Sequence, residues 1–277
     1  MRLVTFEASA APGVLIPGVI DGEKVRSIAL PRLQDFLAAS LSAAEGTEYS
    51  LEDVRLAAPI PAPPAIRDFF VFEQHVATAR GRRGLDIPDF WYREPVFYFS
   101  NPAAVVGPEA EIVYPIGVAE LDYELELAAV IGADETIAAF TIMNDWSARD
   151  LQRDETTVGL GPAKAKDFAT SLGPCLVTVD EFAGRAGTMV ARVNGTEYSR
   201  GEISSAYYSW EQILERAGRN TRLVPGDVIG SGTVGSGCIL ELGTDAWLQV
   251  GDEVELEIQG IGVLRNTVVP TRAHVAG

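Results

Sequence analysis

Between residues 121 and 132 the chain reads LDYELELAAVIG, so that Asp122, Glu124 and Glu126 alternate with Leu121, Tyr123, Leu125 and Leu127 before the run turns wholly apolar. In an extended strand, side chains two apart share a face and sit roughly 6.5–7 Å apart. Glu124 and Glu126 therefore point the same way. Two readings fit this pattern: a half-solvated strand with its acids outward, or a cation site. Crowded ionised carboxylates repel and raise one another's pKa, a cost that a cation between them removes. Oxygen donors of this kind suit Mg²⁺, Mn²⁺ or Ca²⁺ rather than zinc. Two other segments offer further donors. In MNDWSARDLQ, Asp145 closes an apolar run, and in RDFFVFEQH, Asp68 is followed seven residues later by His75. His75 is one of only two histidines, the other being His274 in the polar C-terminal tail. It is either a structural or exposed residue, or a base held beside the acids.

The elements that must position these groups read mostly as strands. The first sixty residues contain RLVTF, GVLIPGVI and KVRSIAL, then a helix expected from about Leu33 to Ala44. The proline-rich APIPAPPAI at 58–66 is a stiff, extended connector and marks the boundary between a small N-terminal unit, 1–64, and a large sheet-built unit, 65–277. From residue 95 onward short strand runs follow one another, separated by turn residues: PVFYF, EIVYP, LDYELELAAVIG, AFTIMND, PCLVTV, MVARVNG, DVIGSGTV, CILEL, DEVELEIQG and GVLRNTVV. The clearest helix is SAYYSWEQILERAG at 205–218. The fold class is α+β, mainly β. Residues 68–90, which end in the basic, glycine-flanked Arg80, Arg82 and Arg83, are expected to act as a lid, and the arginines to attract an anionic substrate.

At 277 residues the chain can bury a core without covalent staples, and Cys175 and Cys238, both in apolar surroundings, read as buried reduced thiols. The net charge of −17 repels nucleic acid and anionic membranes, which excludes both as partners. No apolar run approaches the roughly 20 residues of a membrane span, and the N-terminus lacks the apolar core of a secretion signal, so a cytoplasmic location is expected.

The order Asp68…His75, YELEL, NDWSARDLQ, GPAKAKDFATSLGP, VNG, PGDVIGSGTVGSG and LQVGDEVELEIQGIGVLRN resembles the fumarylacetoacetate hydrolase family, from residue 66 to nearly the end. The resemblance implies a mixed β-sandwich roll with few helices, preceded by a small β-rich N-terminal domain that matches longer members only in outline. It implies a homodimer and a divalent metal, usually Mg²⁺ and alternatively Mn²⁺ or Ca²⁺, held by Asp68, Glu124, Glu126 and Asp145. His75 matches the base that activates water and Glu241 the acid paired with it. Lys166 matches the lysine on the substrate or enolate oxygen, with Lys164 as the alternative. Arg149, Gln152, Thr233 and Tyr98 match groups that contact substrate. If the chain turns helical after Asp145, Arg149 and Gln152 share its face. Asp122 matches no family role and reads as a surface acid or a support behind the ligands.

The implied activity is hydrolysis of a C–C bond in a small anionic 1,3-dicarbonyl acid of fumarylacetoacetate, fumarylpyruvate or acylpyruvate type, through a metal-bound enolate, as in aromatic compound catabolism. The alternative is decarboxylation or isomerisation of a 2-oxo or hydroxymuconate-type acid on the same site. The pairing of His75 with Glu241 favours hydrolysis, because only hydrolysis requires an attacking water. The segment between Glu126 and Asp145 is shorter than in typical members, which implies a different rim to the site.

Overall fold

A computed structural model describes residues 1–39, 46–244 and 246–271. The distal part of the helix expected to reach Ala44 lies outside the described residues, as does His274. Among the described residues the architecture is α+β and mainly β, with six α-helices around two large sheets. The 12-stranded main sheet runs, in spatial order, through Glu48–Ser50, Lys24–Ser27, Ile16–Asp21, Arg2–Ala8, Thr170–Thr178, Ile137–Asp145, Leu125–Ile131, Val228–Gly230, Ile66–Phe69 and Phe97–Ser100. Val54–Ala57 and Val105–Val106 pair onto it to the side. The five-stranded sheet runs through Thr196–Glu202, Thr188–Val193, Glu253–Ile258, Gly262–Val269 and Glu111–Val113.

The strand Leu125–Ile131 shows why the central runs are so apolar. Leu125, Leu127, Ala129 and Ile131 enter a core shared with Met189, Ala191, Leu256 and Ile258 of the smaller sheet. Ala128 and Val130 enter a second core with Leu33, Phe36, Leu37 and Ile60. A strand buried on both faces reads as a continuous hydrophobic run, and each large aliphatic side chain so buried contributes about 1.5–3 kcal/mol. No solvated face is left for the acids, and Asp122, Glu124 and Glu126 are all buried. The half-solvated reading is therefore excluded.

Local structure departs from the sequence reading at three places beside the site. The run LDYELEL is not one strand: Leu121–Asp122 pairs with Ser147–Ala148, Tyr123 and Glu124 form a break, and the main-sheet strand begins at Leu125. The break is held by Tyr123, whose buried hydroxyl meets Ser199 Oγ at 2.6 Å, and by the Glu124 amide, which donates to Asn144 Oδ1 at 3.0 Å. CILEL is not a strand either, since Ile239–Leu242 form a short helical turn closed by Gly243 in the left-handed region at φ 71°. Finally, the helix after Asp145 starts only at Arg149 and runs to Thr156, so Asp145 ends a strand and does not share the helix face of Arg149 and Gln152.

Of the remaining segments, one turn was not anticipated, one expected helix is shorter, and part of the expected lid is packed. The Val193–Thr196 turn is an Asn194-Gly195 hairpin with both residues at positive φ, 50° and 76°, the two-residue form that matches strand twist. The helix expected around 205–218 occupies Trp210–Gly218, and Ser209 and Gln212 form a capping box at its start. Residues 68–76 are not a loose lid: Asp68 lies in a strand paired on both sides, and Val71, Phe72, His75 and Val76 are buried.

Candidate active site

Four carboxylates converge from three strands of the main sheet and the break before one of them, with Val228–Gly230 lying between the strands of Glu126 and Asp68. Asp68 lies in Ile66–Phe69, Glu126 in Leu125–Ile131, Asp145 at the end of Ile137–Asp145, and Glu124 in the break. Each offers an oxygen within 4.8 Å of those of the other three. Space for this cluster depends on Gly230, where an added Cβ would fall 2.5 Å from Asp68 Oδ1, 3.0 Å from Glu126 Oε2 and 2.3 Å from Met143 Cε. Glu126 is fixed by the Gly232 amide, donating to Oε2 at 3.2 Å, and by the Thr233 hydroxyl at 3.4 Å from Oε1. The Tyr98 hydroxyl donates to Asp145 Oδ2 at 2.5 Å. Lys166 Nζ donates to Glu124 Oε2 at 2.5 Å and also to Asp145.

The electrostatics of the cluster leave room for one more cation. Burial, followed by repulsion from Asp145, pushes the Asp68 carboxyl well above the usual range. Burial, followed by repulsion from Asp68, does the same to Glu126. Glu124 is desolvated too, but Lys166 and Arg149 beside it hold it below the usual range. Asp68 Oδ1 and Asp145 Oδ1 are buried without a hydrogen-bond partner. Buried acceptors in that condition cost free energy unless something satisfies them. Four carboxylates with two orphaned oxygens fit a hard divalent ion bound through oxygen.

Beside the cluster sits a second buried group. His75, in the Glu73–Gly81 helix, places Nδ1 2.8 Å from Glu241 Oε2, and its ring stands edge-on to Phe70 at 5.2 Å between centroids. Glu241 Oε2 also accepts from the Gly237 amide at 3.1 Å and lies 3.4 Å from Cys238 Sγ. Burial raises the Cys238 thiol well above its ordinary pKa, so it is a neutral neighbour. The positive charge of His75, when protonated, acts on Glu124, which places this pair within electrostatic reach of the carboxylates.

All eleven residues singled out by the sequence thus fall into one region. Of those expected to contact substrate, Thr233 and Tyr98 bond cluster carboxylates. Arg149 Nη2 lies 2.7 Å from Glu124 Oε1, and its Nη1 donates to Gln152 Oε1 at 3.1 Å. The two lysines differ in position. Lys166 is buried in the cluster, whereas the Lys164 side chain is 72% exposed and pairs with Asp167. A cleft of about 330 Å³ opens here, lined by Tyr98, Asn101, Lys164, Lys166 and Asp167 among others. Arg82 and Arg83 are exposed, and Arg80 donates to the Asp86 carbonyl at 2.6 Å.

Sequence reasoning left Asp122 between a surface acid and a support behind the ligands, and gave Cys238 only as a buried thiol with no place in the site. Asp122 is fully buried and bonds Arg149, while Cys238 touches Glu241. A signal existed for the first, a carboxylate two residues before Glu124, but its partners lie far along the chain. Nothing local pointed to the second.

The fold and this constellation define a recognised class. Residues 65–269 match the profile of the fumarylacetoacetate (FAA) hydrolase C-terminal domain, and the chain belongs to the fumarylacetoacetate hydrolase family. It is 30% identical over 278 aligned positions to oxaloacetate tautomerase YisK of Bacillus subtilis (strain 168), covering 95% of this chain and 89% of that protein. It is 34% identical over 189 residues to the human mitochondrial oxaloacetate tautomerase FAHD2A, across 64% of this chain; the match spans 60% of the human protein's length. Among solved structures, the 5-carboxymethyl-2-hydroxymuconate delta-isomerase of Mycobacterium smegmatis superposes with a TM-score of 0.78 at 27% identity, covering 98% of this chain and 100% of that one. The fumarylacetoacetate hydrolase of Exiguobacterium antarcticum gives 0.80 at 26% identity with the same coverage.

Proposed function

We propose that this chain is a divalent-metal-dependent enzyme that interconverts the keto and enol forms, or shifts a double bond, of a small 2-oxo dicarboxylic acid of oxaloacetate or hydroxymuconate type. The observation that carries this reading is the buried carboxylate cluster that already holds Lys166; the His75–Glu241 pair beside it suits taking a proton from carbon as well as from water, so it does not single out hydrolysis. The relatives with tautomerase and isomerase activity support the same choice.

In this reading Asp68, Glu124, Glu126 and Asp145 would hold the ion, Mg²⁺ or alternatively Mn²⁺ or Ca²⁺, and when bound it would supply Lewis-acid stabilisation of developing negative charge. The chain's own groups move the proton. His75, oriented through Nδ1 by Glu241, takes a proton at its other ring nitrogen from the carbon next to the keto group. The C–H electron pair becomes the new C=C bond, and the carbonyl π pair moves onto oxygen. The Lys166 ammonium gives that oxygen a proton to complete the enol, and His75 releases to solvent the proton it took while Lys166 regains one, so no net proton is consumed; the reverse sequence regenerates the ketone. Tyr98 and Lys166 line the cleft and take the substrate, while Arg149, Gln152 and Thr233 hold the ligand carboxylates in place. The proposal includes a homodimer in the cytoplasm acting on a free anionic metabolite, with no nucleic-acid or membrane partner. Consistent with this, the net charge is −17 and no described helix is long and apolar enough to cross a membrane.

Hydrolysis of a C–C bond in a 1,3-dicarbonyl acid is the second reading. It is favoured by the same His75–Glu241 geometry, which also suits activation of water. One experiment separates the two. Oxaloacetate, a hydroxymuconate-type diene, acylpyruvates and fumarylpyruvate are each followed by ultraviolet absorbance and by product analysis, with Mg²⁺, Mn²⁺ or EDTA, for wild type and His75→Ala. The expected result is metal-dependent tautomerisation or isomerisation with conserved mass, reduced about 10²-fold or more in His75→Ala. Two carboxylic acid fragments from a diketone substrate would establish hydrolysis instead. Turnover that survives His75→Ala would remove His75 from either mechanism.

A further inference from the structure

Asp122 lies where the carboxylate cluster and the His75–Glu241 pair are tied together through hydrogen bonds. Its side chain is fully buried and accepts three hydrogen bonds. Oδ2 accepts from Arg149 Nε at 2.8 Å, Oδ1 from the Ile239 amide at 2.8 Å, and Oδ2 also from the Leu240 amide at 3.1 Å. Arg149 leads into one half of the site and the two amides into the other. Arg149 carries Nη2 to within 2.7 Å of Glu124 Oε1, so the guanidinium plane held by Asp122 orients one cluster carboxylate. Ile239 and Leu240 begin the short turn that carries Glu241, whose Oε2 faces His75 Nδ1 at 2.8 Å.

The charges add a second reason for an acid at this position. Arg149 is buried with both Asp122 and Glu124 against it. With Asp122 neutralising the guanidinium, Glu124 keeps negative charge to offer a cation. Without that charge, Arg149 would rest on Glu124 alone and compete with the ion. A carboxamide of the same shape could not restore the arrangement, because three donors converge on two oxygens and the amide offers one acceptor and one donor.

We propose that Asp122 is a positioning residue that sets the cation affinity of the carboxylate cluster through Arg149 and the orientation of the His75–Glu241 pair through the Ile239–Leu242 turn. This rests on the reading of the cluster as a cation site given above. Neither half touches the other directly through Asp122's carbon skeleton; the coupling runs through its two oxygens.

The test uses the full chain and Mn²⁺ as probe. Mn²⁺ affinity of the metal-stripped protein is measured by electron paramagnetic resonance for wild type and Asp122→Asn. The kcat and KM of both are then determined on whichever panel substrate the wild type turns over, alone and combined with Glu241→Gln. The expected result is an Mn²⁺ Kd raised about 10-fold or more, with a fall in kcat that is smaller in the Glu241→Gln background than in the wild-type background. Should the carboxamide variant not fold, Asp122→Glu, which keeps the charge and displaces the oxygens by one methylene, carries the same measurements with the same expected direction. A variant that melts earlier but binds Mn²⁺ within twofold of wild type, or whose kcat loss is fully additive with Glu241→Gln, would show a merely structural acid and overturn the proposal. Failure of wild-type protein to bind Mn²⁺ would instead overturn the reading of the cluster itself.

Discussion

Gly230 shows how little tolerance the carboxylate cluster has. Its neighbours on three sides are Met143, Asp68 and Glu126, and a methyl group there would sit closer to Asp68 Oδ1 than any relaxed contact allows. The residue is held in a strand with no need for a positive φ, so the constraint is space alone. Overpacking of this kind costs about 1–3 kcal/mol, and here the displaced atoms are the ones proposed to hold a cation. Gly230→Ala is therefore expected to retain secondary structure by circular dichroism but to weaken Mn²⁺ binding about 10-fold or more, as support residues around metal sites commonly do. Calorimetric titration of the stripped variant against wild type checks this. Equal affinities would mean that the ion does not sit between Asp68 and Glu126.

At the scale of the element, the Trp210–Gly218 helix offers a control that should leave chemistry untouched. Ser209 accepts from the Gln212 amide, and the Gln212 side chain accepts from the Ser209 amide. Replacing such a cap with alanine costs about 1 kcal/mol, so Ser209→Ala should lower the melting temperature by about 2–4 °C with unchanged kcat/KM. A larger kinetic effect would show that this helix is coupled to the site. The cap was readable because every part of it is local, and the same holds for the Asn194-Gly195 hairpin and the alternating Gly262–Val269 strand. The four carboxylates, His75, Glu241 and Lys166 were readable through their motifs, each of which keeps its order along the chain. What could not be read was conformation decided at long range. CILEL is an apolar run that reads as a strand, yet it becomes a helical turn because Asp122 accepts the Ile239 and Leu240 amides and Gly243 supplies the left-handed exit. Likewise the break at Tyr123 and Glu124 depends on Ser199 and Asn144, which no period within LDYELEL could announce.

Across the whole molecule, the cluster sits where separate stretches of chain are joined. The strands carrying Glu126 and Asp145 are neighbours within the main sheet, and the Asp68 strand, next to the sheet's edge strand, is separated from that of Glu126 by Val228–Gly230. The N-terminal strands extend the same sheet through Arg2 and Leu3, which pair with Val177 and Leu176, and the Arg2 guanidinium donates to the carbonyls of Gly260 and Ile261 at 2.7 Å each. An ion held by Asp68, Glu124, Glu126 and Asp145 would thus bridge segments that meet only in the folded state, and the unfolded chain would offer it no comparable site. Binding confined to the folded state stabilises by mass action, about 2.7 kcal/mol when the free ion is at 100 times its Kd. For a chain of this size that corresponds to a rise of about 5–10 °C in melting temperature. Scanning fluorimetry of metal-stripped protein should show that rise with Mg²⁺ or Mn²⁺ and its reversal by EDTA. Asp68→Asn should abolish most of the shift: the carboxamide keeps the shape of the buried strand residue but gives up the charge that repels its neighbours. By the same logic the stripped Asp68→Asn protein should melt no lower than stripped wild type, because relief of repulsion offsets the lost carboxylate. A stripped wild type indifferent to both ions would show that Lys166 and protons alone neutralise the cluster, and the function would then have to be rebuilt without a metal.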